Sequence, residues 1–66
     1  MKNNLKVERA IANITQEELG KKVSVSRQTI NAMEANKYVP STVLALKIAR
    51  FFKKTVEEIF ILEKGD

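Results

Sequence analysis

The chain has 66 residues, a net charge of +4, and neither cysteine nor histidine. That excludes disulfides, thiolate chemistry and a cysteine-held zinc, and it removes the usual general base and metal ligand, so neither an enzyme nor a cofactor is expected. This length supports one domain over residues 1–66, with a core small enough to gain from self-association.

No apolar run approaches the ~18–20 residues of a membrane span, and the start lacks a signal-peptide core. A cytoplasmic location without a membrane partner is therefore expected. The charge is unevenly spread. Up to residue 55, eleven Lys/Arg stand against four Glu, whereas residues 56–66 hold Lys64 against Glu57, Glu58, Glu63 and Asp66. A basic body with an acidic end suits a polyanion on one face and something else on another. On charge alone, an ordinary solvated surface explains the pattern equally well.

Residues 1–4 are polar and read as a frayed end or short arm. A first helix is expected over Leu5–Ala12, with Leu5, Arg9 and Ala12 on one stripe and Ile11 left as a lone exposed apolar residue. Asn13 suits the left-handed C-cap, and Ile14 then turns inward. Thr15 and Glu18 form a Thr-x-x-Glu capping box, which starts a second helix at Gln16. Leu19 and Val23 face inward, one turn apart, with Gly20 beside them.

Ser26 caps a third helix running to about Ala35. Only Val23, Ser24 and Val25 separate the two, so the joint must be sharp, with Val25 turned inward. At about 100° per residue, Ile30 and Met33 share one side of the third helix. Arg27, Gln28, Asn31, Ala32 and Ala35 fall on the other. A guanidinium, two carboxamides and two methyls without an acid are unusual as mere solvent cover, and they are the groups that read base edges.

Asn36 to Pro40 form a loop, with Asn36 able to take the left-handed cap and Pro40 holding Val39 extended. Ser41 caps a fourth helix, Thr42–Phe52. Its inward stripe is Leu44, Ile48 and Phe52, supported by Ala45, Ala49 and Phe51; so many apolar residues imply cover on more than one side. Lys53 and Lys54 make the exit turn. Thr55 and Glu58 repeat the capping box and open a short fifth helix, Val56 to about Phe60. The final segment alternates Phe60 and Leu62 against Ile61, as a short strand would. Repeats, low-complexity tracts and nucleotide-binding loops are absent.

The stretch from about 16 to 35 resembles the helix-turn-helix of the Cro and phage-repressor type, the XRE family. Its apolar positions are filled by Leu19, Val23, Val25, Ile30 and Met33, and its small-residue position by Gly20. Ser24 stands where the family usually has a glycine of positive φ, and Lys53 where it often has glycine. The likeness extends through ITQEEL, VSRQTI, NKYVPS and ALKIA to VEEIF. It implies an all-α, compact five-helix repressor-like domain with helices 2 and 3 as the motif. It also implies an ion pair between Arg9 and Glu34, and, as in small dimeric members, a short C-terminal strand pairing with the N-terminal residues.

The resemblance and the third helix together imply a sequence-specific DNA-binding regulator, expected to repress as a homodimer on an inverted-repeat operator. Arg27, Gln28 and Asn31 would reach base edges and Ala32 a thymine methyl. Gln16 at the start of helix 2, Ser26, Lys37 and Tyr38 would meet phosphates. Residues 56–66 would carry dimerisation, with Phe60, Ile61 and Leu62 as the interface. An antitoxin or adaptor that grips a protein partner is the alternative, though such a module has no use for an acid-free Arg/Gln/Asn face. No small-molecule site is legible.

Overall fold

Four of the five helices begin where a hydroxyl accepts a free backbone N–H; the first follows Asn4, whose side chain makes no such cap. The computed structural model describes all residues 1–66 and places β1 at Lys2–Asn3, α1 at Leu5–Ala12, α2 at Gln16–Val23 and α3 at Arg27–Glu34. α4 at Thr42–Phe52, α5 at Val56–Ile59 and β2 at Phe60–Ile61 complete the chain. Thr15 and Thr55 form full capping boxes with Glu18 and Glu58, and Ser26 and Ser41 accept from Thr29 and Leu44.

The exits are as regular as the entries. Asn13, Ser24, Asn36 and Lys53 all take positive φ, between 56° and 64°, and neither glycine does. After α3, for example, the Asn36 N–H donates to Met33 O and the Lys37 N–H to Ala32 O, closing the last turn in a Schellman pattern. Ser24 at φ 64° forms the turn between α2 and α3. Gly20 makes that turn possible. A Cβ there would lie 2.6 Å from the Val25 carbonyl oxygen, a backbone atom that accepts no such approach. Val25 itself is half-buried against the core.

Ten apolar side chains drawn from all five helices and β2 make the core. Leu5, Leu19, Ile30, Met33, Ile48 and Ile59 are completely enclosed. α1 departs from its expected stripe: Ala12 is exposed, and Glu8 at 7 % exposure takes the inward place one turn after Leu5. Its carboxylate is met by Lys54 Nζ at 3.4 Å. Ile11 is exposed, as expected. α4 is buried on one side only; Val43 and Leu46 remain more than half exposed.

β1 and β2 pair antiparallel within the chain, Lys2 opposite Ile61 and Asn3 opposite Phe60. The strand is shorter than the alternation implied. Phe60 faces the core, but Leu62 lies beyond the pairing and is 77 % exposed. Phe60 therefore has to be corrected as an interface residue. Its ring is spent on the chain's own core, and only Ile61 and Leu62 of that trio offer free surface.

Candidate nucleic-acid interface

α3 is held from beneath. Ile30 and Met33 plug it into the core, while Arg27, Gln28 and Asn31 are exposed and Ala32 is half-buried. The 3.6-residue repeat thus produces an outward face with no acidic group. Gln16, Arg27, Gln28 and Asn31 line one shallow notch where the start of α2 meets α3. The structure brings these four together.

Beneath the notch lies the Arg9–Glu34 pair. Arg9 Nε donates to Glu34 Oε2 at 2.6 Å and Nη2 to Oε1 at 2.9 Å, while Nη1 donates to the Ile14 carbonyl at 3.0 Å. Both side chains are mostly shielded from solvent. Burial pushes the Glu34 pKa up. Hydrogen bonds from Arg9 and Gln16, with the positive charge of Arg9, outweigh that and hold it below the ordinary carboxylate value. Glu34 therefore stays ionised at neutral pH.

Gln16 is more constrained than an exposed first-turn residue would be. Its Nε2 donates to Glu34 Oε1 at 3.1 Å, and its Oε1 accepts from Asn31 Nδ2 at 3.4 Å. Ser26 Oγ accepts the Thr29 N–H at 3.2 Å and shares a 3.1 Å hydrogen bond with the Thr29 hydroxyl, while the residue stays exposed. Lys37 and Tyr38 project from the loop after α3, both exposed. They do not border the notch.

Two further links at this site have no counterpart in the sequence reading. Asn3 Nδ2 donates to the Met33 carbonyl at 2.8 Å and to Asn36 Oδ1 at 3.2 Å, tying β1 to the end of α3. The same side chain's Oδ1 accepts the Leu5 N–H at 3.1 Å. The Gln16–Asn31 contact is the second. Spacing carries no signal for either, since the partners are 30 and 15 residues apart. No group of three acidic side chains converges as a metal site, and no helix is long and apolar enough to cross a membrane.

With this geometry in hand, the likeness to known proteins is specific. The helix-turn-helix family pattern matches residues 5–59, from the first residue of α1 to the last of α5. An uncharacterized HTH-type transcriptional regulator of Methanocaldococcus jannaschii is 60% identical over 66 residues, the full length of both chains. One from Archaeoglobus fulgidus is 50% identical over all of this chain and 93% of its own. Another, from Bacillus subtilis, is 48% identical over 97% of each.

Proposed function

Because the chain belongs to the Cro/C1-type helix-turn-helix family, and is a DNA-binding transcription regulator rather than an enzyme, we propose that it is a sequence-specific repressor acting as a homodimer on an inverted-repeat operator. The observation that carries this reading is the outward face of α3, where Arg27, Gln28 and Asn31 stand exposed over a fully buried Ile30 and Met33. In the major groove, Arg27 reads guanine, Gln28 and Asn31 read adenine, and Ala32 meets a thymine methyl. Gln16, Ser26, Lys37 and Tyr38 hold phosphates, which fix register without reading sequence. Repression needs no more than occupancy of the operator, and one domain with a dimer contact supplies that.

Self-association is supported by apolar surface left open on so small a chain. Ile61 ends β2 and Leu62 follows it, and Val39, Val43 and Leu46 lie exposed around α4. The same surface supports the second reading, a module that grips a protein partner. Selection from random duplexes by the purified protein separates the two. An enriched inverted repeat supports the repressor, and no enrichment at all favours the adaptor.

A further inference from the structure

We propose that Asn3 is a positioning residue for DNA binding, which aims Lys37 at the phosphate backbone by gripping the turn that closes α3. This rests on the reading of Lys37 as a phosphate contact. Asn3 is itself well fixed. Its backbone lies opposite Phe60 in the β1–β2 pair, and the next N–H, that of Asn4, donates to the Ile59 carbonyl at 2.8 Å. Ile59 and Phe60 are both buried, so this anchorage reaches the core. Asn3 Oδ1 accepts the Leu5 N–H at 3.1 Å, which decides the orientation of the carboxamide. The nitrogen then faces the end of α3, where it donates to the Met33 carbonyl at 2.8 Å and to Asn36 Oδ1 at 3.2 Å. An amide nitrogen has two hydrogens to give, and these acceptors take both.

Both acceptors belong to the turn from which Lys37 departs. Asn36 stands at φ 60°, a left-handed conformation that a residue with a Cβ does not hold for nothing. Its N–H and that of Lys37 fold back onto the carbonyls of Met33 and Ala32. Asn3 adds a side-chain grip on the same turn from 33 residues away. Lys37 follows directly and is exposed. With the turn held, its long side chain starts from one fixed direction, so less freedom is lost when the ammonium meets a phosphate. The carboxamide is hard to replace. Aspartate would keep the acceptor for Leu5 but could give neither hydrogen bond to the turn.

The test uses the intact protein, with dissociation constants measured at several salt concentrations on the selected operator and on a scrambled duplex. Asn3→Ala is expected to weaken both duplexes by the same factor, because phosphates carry no sequence information. It is also expected to lower the salt slope by about 0.9 per subunit, the loss of one phosphate contact. The double variant with Lys37→Ala is expected to have the slope of Lys37→Ala alone. A merely structural Asn3 would leave the slope where it is in wild type. That result, beside a reduced slope for Lys37→Ala, overturns the proposal while leaving Lys37 on the phosphate. An unchanged slope for Lys37→Ala overturns the phosphate contact and the proposal with it. A second measurement needs no DNA and uses Asn3→Asp, which keeps the start of α1 intact. In the free protein, ¹⁵N relaxation of the Lys37 and Tyr38 backbone amides is expected to show greater mobility in this variant than in wild type. Equal mobility in the two overturns the proposal.

Discussion

Arg9 and Glu34 meet fork to fork, joining α1 to the last residue of α3 with two hydrogen bonds of 2.6 and 2.9 Å. Exposed ion pairs contribute about 0–1 kcal/mol, but removing one partner of a shielded pair strands a charge away from water. Arg9→Met and Glu34→Gln are each expected to cost about 3 kcal/mol in denaturant unfolding, at the lower end for a buried pair. The double variant is expected to cost much less than the two single changes together. A coupling energy near zero in that cycle would contradict the structural role.

Acid should find the same pair. The folded Glu34 carboxyl titrates below its ordinary 4.5, so the unfolded chain binds more protons as pH falls through that region. Its contribution is fully present above about pH 4.5 and is lost as pH falls below that towards the depressed folded value. Glu18, Glu58 and Asp66 are depressed too, each foremost by a backbone N–H bond, and they add to the acid limb. Melting temperatures measured over about pH 3–7 should fall less steeply for Glu34→Gln than for wild type. Parallel profiles would contradict the assignment.

The turns make opposite predictions for two kinds of glycine change. Ser24 and Lys53 occupy the left-handed region with a side chain attached, at φ 64° and 56°. A non-glycine residue costs about 1–2 kcal/mol there, partly offset by the freedom glycine loses on folding. Ser24→Gly and Lys53→Gly should each stabilise by about 0.5–1 kcal/mol. Gly20→Ala should destabilise by about 2 kcal/mol despite alanine's better helix propensity, because its Cβ would meet Val25 O at 2.6 Å. Thermal unfolding of the three variants tests all the signs together.

Reading and holding are separable by salt and by sequence. Arg27→Ala is expected to cost about 1–3 kcal/mol on the operator and far less on scrambled duplex, relaxing one position in each half-site. Lys37→Ala is expected to weaken every duplex similarly and reduce the salt slope by about one ion per subunit. Titrations at several salt concentrations distinguish them. Equal losses on both duplexes for Arg27→Ala would make it a phosphate clamp.

The dimer proposal turns on surface that the subunit does not use. Ile61→Glu and Leu62→Glu leave the core untouched, since both side chains are exposed, at 42 % and 77 %. Each is expected to shift sedimentation at tens of micromolar from dimer towards monomer. Leu46→Glu reports on the exposed side of α4 in the same assay. A wild-type monomer at that concentration would count against the proposal outright.

The helices were legible because their ends carry local chemistry. The Thr15–Glu18 and Thr55–Glu58 boxes and the Ser26 and Ser41 caps act within three residues, so sequence spacing contains them whole. α4 ends at Phe52 and the exit falls on Lys53, as read. Periodicity failed where a polar residue outcompeted an apolar one for an inward place, as Glu8 did over Ala12, because Lys54 from the turn after α4 pairs with it. The last residues misled for a related reason. Alternation put Leu62 beside Phe60, but pairing with β1 stops at Ile61 and nothing aligns the next residue. At α3, the exposed face was readable from its repeat. The Gln16, Asn3 and Asn31 hydrogen bonds were not, since each depends on where distant elements come to rest.

In the proposed reading, the eight residues of α3 limit how much address one chain can carry. At 1.5 Å per residue the helix is about 12 Å long, matching the width of the major groove and spanning about four base pairs. A word of about four letters recurs by chance roughly once in 256 positions, far too often to single out one promoter among ~10⁶ competing sites. Two such words at a fixed spacing recur about once in 65,000, a gain that comes from pairing and from no added contact within either subunit. In the proposed dimer, the vocabulary of the regulator is therefore a function of its concentration. Dilute subunits scan DNA almost indiscriminately, and paired ones acquire a destination.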